Sequence, residues 1–163
     1  MDKNIAFELK VDPVTPTVLL GDSTAITTVF NNVVDNAYKY TERGRITAET
    51  KWISDGGQKG ELEFTVQDTG CGMSEEVLEN IYIAFSVGTE VQHKHENGIG
   101  IGLFITKKLL DLMGGTIQVE SHLNIGTTVK IRVPVQVIDN TPISTTEKSE
   151  GLEDVELTLD GAR

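Results

Sequence analysis

Basic side chains are scarce in this sequence. Fourteen Lys and Arg stand against 25 Asp and Glu, a formal net charge of −11 at pH 7. Nucleic-acid backbones are gripped by basic surface, so nucleic acid is excluded as a bulk partner, although a small nucleotide held by a few local groups is not. Cysteine is reduced to Cys71, which excludes an internal disulfide and fits a reducing compartment. There is no secretory signal and no apolar run long enough to span a bilayer. The expected location is cytoplasmic, with any membrane anchor of a parent protein lying elsewhere. With 163 residues and an apolar fraction of 38%, the chain can build one core. The acid is uneven: Asp139 to Arg163 holds seven acidic and two basic side chains, so this stretch carries −5 of the −11.

The stretch from Asn31 to Tyr40 reads as part of a helix with two faces. Ile26, Val29, Phe30, Val33, Val34 and Ala37 recur at helical spacing and form an apolar stripe. Asn32, Asn36, Lys39 and Tyr40 fall on a neighbouring face. Two amides, an ammonium and a phenol in one row suit an anionic ligand carrying a hard cation, because amide oxygens hold Mg²⁺ or its waters and a lysine holds phosphate. A solvated helix face would look the same from this helix alone.

Around that helix the chain alternates strands and helices. Residues 5–11 read as a strand broken by Pro13 and Pro16. Gly21-Asp22-Ser23 gives the turn and N-cap of the opening helix, which is expected to reach about Thr41. Residues 45–53 and 61–67 alternate as a hairpin about Gly56-Gly57. Residues 74–80 read as a short capped helix, residues 86–97 as a polar loop, and Gly98 onward as a second long helix. Ile105, Leu109, Leu112 and Met113 are expected as its buried stripe, with Gly114-Gly115 ending it. Two last strands, around Ile117–Val119 and Val129–Val133, meet at Gly126. Strands with a polar residue at every other position describe a sheet with one wet face. The predicted fold class is α/β: a two-layer sandwich with three helices on one face of a mixed sheet. Residues 1–137 form the domain and 138–163 an acidic linker.

Two glycine turns flank the polar loop. Gly98-x-Gly-x-Gly would expose backbone N–H groups at a helix N-terminus, where anions are favoured. Its spacing is not the G-x-G-x-x-G of a dinucleotide site, and no G-K-[ST] follows to make a P-loop. In Asp68-Thr-Gly-Cys-Gly the carboxylate stands at a strand end and could accept from an exocyclic amine, or merely stabilise its own turn. His93, His95 and His122 fit no common zinc spacing.

The motifs, in order, are N-x-x-x-N-A-x-K-Y from Asn32, D-x-G-x-G-M from Asp68, a segment bearing Phe85, G-x-G-x-G-L from Gly98, and a final G-T strand at Gly126-Thr127. Over residues 5–135 this series resembles the ATP-binding catalytic domain of sensor histidine kinases, within the GHKL superfamily. The resemblance implies the Bergerat fold, with a mostly antiparallel sheet, and ATP with Mg²⁺ as ligands. It implies Asn32 and Asn36 on the Mg²⁺ and phosphate side, Asn36 as the direct metal ligand, Lys39 on phosphate and Tyr40 by the adenine or ribose. It places Asp68 on the adenine amine, with Gly70 and Gly72 shaping that pocket. Phe85 starts the ATP lid, and Gly98, Gly100 and Gly102 support the triphosphate with Leu103 beneath. Thr127 orders water beside Asp68.

Asn32 bears on the reaction. In gyrase and the heat-shock chaperones of the superfamily a glutamate at the equivalent position activates water, which an amide cannot do at neutral pH. Phosphoryl transfer to a protein is thereby favoured over hydrolysis, and Asn32 and Lys39 are the residues implied in catalysis. No phosphoacceptor-type histidine context is present. The resemblance therefore implies partners outside this chain: a dimerisation and phosphoacceptor domain upstream, and a receiver domain either beyond Leu159-Asp-Gly-Ala-Arg163, as in a hybrid kinase, or on a separate response regulator. The parent would be a homodimer and this piece a monomer. The segment from Ile81 to Gly88 lacks the proline and the basic residue often found around the family's phenylalanine. Lys39 and Lys94 remain as phosphate cations, and this keeps two other readings in view, a non-catalytic docking domain and a hydrolytic GHKL ATPase.

Overall fold

Asp22 starts the first helix. Its side chain accepts from the Ala25 N–H at 3.0 Å, which satisfies one of the donors left over at a helix N-terminus. From there Ile26, Val29, Val33 and Ala37 come round on one side and are buried, and the Phe30 ring stacks on Phe64 of the sheet with centroids 4.0 Å apart. The far end is closed from outside. Lys3 Nζ donates to the carbonyls of Tyr38 (2.7 Å) and Lys39 (3.1 Å), which places a cation at the negative end of the helix.

The computed structural model describes residues 3–87 and 99–142. In chain order the elements are β1 (Asn4–Val11), β2 (Pro16–Leu20), α1 (Ser23–Lys39), β3 (Arg43–Ser54), β4 (Lys59–Asp68), α2 (Glu75–Val87), α3 (Ile99–Met113), β5 (Thr116–His122) and β6 (Gly126–Pro142). The strands form one sheet in the order β1-β3-β4-β6-β2, with β5 also paired to β6. Only β1 and β3 run parallel among these pairs; the other four pairings are antiparallel. Ile46, Ala48, Leu62, Phe64, Val66, Val129, Ile131 and Val133 project to one side and form the core with α1 and α3. The opposite side carries Glu49, Lys51, Thr65, Gln118, Thr128 and Lys130. Glu63 is buried on that wet side and satisfied by Arg132 Nε at 2.9 Å. The α/β sandwich with one wet sheet face is thus what the alternation required.

Four expectations need correction. The first strand ends at Val11, ahead of Pro13, as expected, but Pro16 also begins a strand that was not expected, β2, which pairs with the end of β6. Proline is tolerated at a strand's first residue, where no ladder N–H is needed. Second, β6 runs past residue 137 to Pro142, so residues 138–142 belong to the sheet; residues 143–163 lie outside those described. Third, α2 does not stop near residue 80. Val77, Ile81 and Ala84 continue a helical stripe against the core, and the Tyr82 hydroxyl clasps the outer edge of β5 by donating to Val119 C=O (2.6 Å) and accepting from Val119 N–H (2.8 Å). Fourth, the buried face of α3 is centred on Leu103, Thr106 and Leu110; of the expected stripe Leu109 and Met113 pack partly buried against the core, whereas Ile105 is exposed and Leu112 is 84% exposed. The helix is apolar nearly all round, so periodicity alone did not fix its phase. Thr106 tolerates its core position because its hydroxyl returns to Gly102 C=O at 3.0 Å.

Removing the N-cap should be felt directly. Asp22→Ala is expected to destabilise the domain by ~1 kcal/mol, with Asp22→Asn close to wild type. Urea unfolding followed by circular dichroism checks both variants.

Candidate functional site

Asn36, in the polar row of α1, faces Gly102 in the first turns of α3. A β-carbon on Gly102 would stand 3.3 Å from Asn36 Oδ1, so the glycine lets the two helices approach here without crowding the amide. Behind that contact a cleft opens between α1, α3 and the ends of β4 and β6. Its walls include Val33, Asn36, Ala37 and Tyr40 of α1, Leu103 of α3, and Asp68, Gly72, Met73 and Thr127 at the sheet end, with Val66 and Val129 as its apolar floor. The enclosed space is small, about 30 Å³, and apolar walls with a few convergent polar groups are the usual make-up of a ligand site.

Asp68 ends β4 and is buried, only 7% exposed. Burial pushes its carboxyl above the usual carboxylate range, partly countered by the backbone N–H groups of Gly70 and Thr127. The Gly70 N–H donates to Asp68 Oδ1 at 2.8 Å. Tyr40, across the cleft, has its phenol pushed up to about 12 by burial and then by the neighbouring Cys71, so it stays a neutral donor at physiological pH. The Cys71 N–H donates to Tyr40 C=O at 3.1 Å, tying the Asp68 turn to the end of α1.

The turn between β5 and β6 clasps the same loop from the other side. The Asn124 N–H donates to Cys71 C=O (2.6 Å), and the Met73 N–H donates to Ser121 Oγ (2.8 Å). Gly72 has φ +67, and a β-carbon there would collide with the His122 carbonyl. The second glycine of the Asp68 motif is therefore required by both conformation and space. Ser121 Oγ also lies 2.8 Å from Thr127 Oγ1.

The sheet ends and helices thus bring Asn36, Tyr40, Asp68, Gly72, Leu103 and Thr127 to one cleft, with Gly102 at its rim. Gly70 lies just behind, packed on the Tyr40 carbonyl and Thr41. Asn32 is half-buried one turn before Asn36 and is not in the wall. Lys39 is exposed, its Nζ 5.8 Å from the centre of the Tyr40 ring. Gly100 lies in the first turn of α3. Phe85 sits in the last turn of α2, part-buried and edge-on to Tyr82, and the residues after Val87, up to Gly98, lie outside those described. Gly98, His93, Lys94 and His95 lie outside the described residues. Sequence reasoning missed Ser121, Met73 and the floor formed by Val66 and Val129. The alternation of β4 and β6 already placed the two valines on the inner face; Ser121 carried no such signal.

Residues 21–137 match the family described as histidine kinase-, DNA gyrase B-, and HSP90-like ATPase. Among relatives, the chain is 33% identical over 144 residues to the virulence sensor protein BvgS of Bordetella bronchiseptica, covering 88% of this chain and 12% of that protein. It is 29% identical over 140 residues to hybrid signal transduction histidine kinase B of Dictyostelium discoideum, covering 86% and 7%. The chain therefore spans only a small fraction of the curated relatives it matches. Among solved structures, full-length ShkA in complex with AMPPNP superposes with a TM-score of 0.65 at 26% identity, covering 83% of this chain and 26% of that one.

The buried Asp68 carboxyl makes a testable link to stability. A raised pKa means that the folded state binds the proton more tightly than the unfolded chain. The carboxyl's contribution to stability is complete below the ordinary value of 3.8 and is lost as pH rises through the raised value. Asp68→Asn keeps an acceptor for Gly70 and removes the buried charge. The variant without ligand should melt above wild type at pH 7, with the gap closing at low pH, as read from melting temperature against pH.

Proposed function

The chain belongs to the histidine kinase-, DNA gyrase B- and HSP90-like ATPase family, and from that premise we propose that it binds ATP with Mg²⁺ and positions the γ-phosphate for transfer to a histidine of another domain. The observation that carries this reading is the approach of Asn36 to Gly102, which sets an amide against a glycine-rich helix start with a buried carboxylate at the other end of one cleft. The donor set fits the ligand. Amide oxygens of Asn36 and Asn32 are hard donors suited to Mg²⁺ or its waters, and the Mg²⁺ would neutralise charge on the transferred phosphoryl group. Lys39, exposed at the end of α1, supplies a cation to phosphate. The N-terminal backbone of α3, with Gly98, Gly100 and Gly102, supplies N–H groups to the triphosphate. Asp68 accepts from the adenine amine, Tyr40 covers the base or ribose, and Thr127 holds water beside Asp68.

With Asn32 where a general base would stand, the domain positions ATP and does not activate water. The acceptor is a histidine nitrogen on a dimerisation and phosphoacceptor domain. It attacks the γ-phosphorus while ADP leaves, and a receiver domain then takes the phosphoryl group. These partners belong to the parent, a homodimer of the two-component type, with this domain on the cytoplasmic side.

Calorimetric titration with a non-hydrolysable ATP analogue tests the proposal. Binding should need Mg²⁺, and no Mg²⁺-dependent binding at about millimolar nucleotide would reject it. Asp68→Asn should weaken binding by ~1–3 kcal/mol through the lost charged hydrogen bond while keeping its Mg²⁺ dependence. Asn36→Ala should instead abolish the dependence on Mg²⁺. Mixed with ATP, the domain alone should form no phosphohistidine, whereas adding the parent's phosphoacceptor domain should produce it.

A further inference from the structure

Ser121 has no part in the proposed reaction, yet its hydroxyl is a junction beside the cleft. It accepts from the Met73 N–H at 2.8 Å, lies 3.1 Å from the Gly126 carbonyl, to which it can donate, and lies 2.8 Å from Thr127 Oγ1. Ser121 stands opposite Thr127 in the β5–β6 ladder, and Thr127 stands opposite Asp68 in the β4–β6 ladder. The three residues therefore form a row across three strands, ending at the cleft that Asp68 and Thr127 both line.

Counting protons decides the direction of that row. A serine hydroxyl has one proton and two lone pairs. The Met73 N–H occupies one lone pair, and the Gly126 carbonyl can only accept. All the contacts are satisfied together only if Ser121 donates to Gly126 and Thr127 donates to the second lone pair of Ser121. If Ser121 donated to Thr127 instead, its contact with the Gly126 carbonyl would hold no proton. Part-buried networks settle in the arrangement that pairs every group. Thr127 Oγ1 then turns only lone pairs towards the cleft, and ionised Asp68 also offers only acceptors.

We propose that Ser121 is a positioning residue for purine recognition: by holding the Thr127 proton it makes the Asp68 end of the cleft an all-acceptor wall, which takes a 6-amino purine and rejects a 6-oxo purine. The inference rests on the nucleotide reading above. An adenine amine, or a water it donates through, meets acceptors there. A hypoxanthine 6-oxo group sets acceptor against acceptor, and sites with buried polar groups reject ligands that leave them unpaired.

The test titrates the whole chain with Mg·ATP and Mg·ITP, which differ at the 6-position and at N1, an acceptor in adenine and an N–H donor in hypoxanthine. Wild type should prefer ATP by about tenfold or more. Ser121→Ala frees the Thr127 hydroxyl to donate into the cleft, and the ATP:ITP preference should fall about five- to tenfold. Ser121→Thr should keep the preference. Because Ser121 acts through Thr127, Ser121→Ala should change nothing further in a Thr127→Val background. Equal weakening of both nucleotides by Ser121→Ala would make Ser121 a mere prop of the β5–β6 turn and overturn the proposal. So would a drop that persists without the Thr127 hydroxyl. If Ser121→Ala does not fold, the near-isosteric Ser121→Cys replaces it, since a thiol is a poor partner in both directions; an unchanged preference there overturns the proposal equally. Failure of wild type to bind ATP at all is a different result, which removes the nucleotide reading and this inference with it.

Discussion

Asn36 and Gly102 meet where α1 and α3 come closest to the cleft, and the site depends on that approach. The first helix must bury Ile26, Val29, Val33 and Ala37 on the sheet, which leaves Asn36 turned towards α3. The third helix must bury Leu103 and Leu110, which brings Gly102 to the amide. Any side chain at residue 102 would fill the space beside Asn36. The hydrophobic effect thus sets the helix phases, and one missing β-carbon leaves a polar rim beside an apolar floor.

The other end of the cleft is organised by hydrogen bonds instead of packing. Asp68 is held by the turn that follows it, and that turn is tied to α1 through Cys71 and Tyr40 and to the β5–β6 turn through Asn124 and Ser121. Keeping a carboxylate buried at the end of β4 costs stability, as its raised pKa records. Such a cost is expected where a group is kept ready for a ligand rather than for the fold. The division of labour follows: the α1–α3 side offers amide oxygens and helix N–H groups suited to a metal and phosphates, and the Asp68 side offers acceptors suited to an amine.

Much of this was legible in the residues. The wet sheet face followed from alternation at Glu61, Glu63, Thr65 and Gln67, because a strand's side chains alternate whatever lies around it. The N-cap at Asp22 and the buried stripe of α1 were equally local. The phase of α3 was not legible. With Ile105, Leu109, Leu112 and Met113 apolar as well as Leu103 and Leu110, several stripes were consistent with the pattern, and contact with α1 chose between them. Strand β2 was missed because Pro16 looks like a breaker until β6 is present to pair with its first residue. The continuation of α2 through Phe85 depends on Tyr82 finding the edge of β5, a partner far off in the chain.

The sequence by itself determined the class of fold, the one-sided sheet and the identity and order of the motif residues, since these rest on local periodicity and on side-chain chemistry. Only the tertiary structure decided which of those residues share a wall. It put Asn36, Asp68 and Thr127 in one cleft, left Lys39 exposed and Asn32 outside the wall, and drew in Ser121, which no motif marked. The reason is register. Residues at positions 68, 121 and 127 become neighbours only when three strands pair in one alignment.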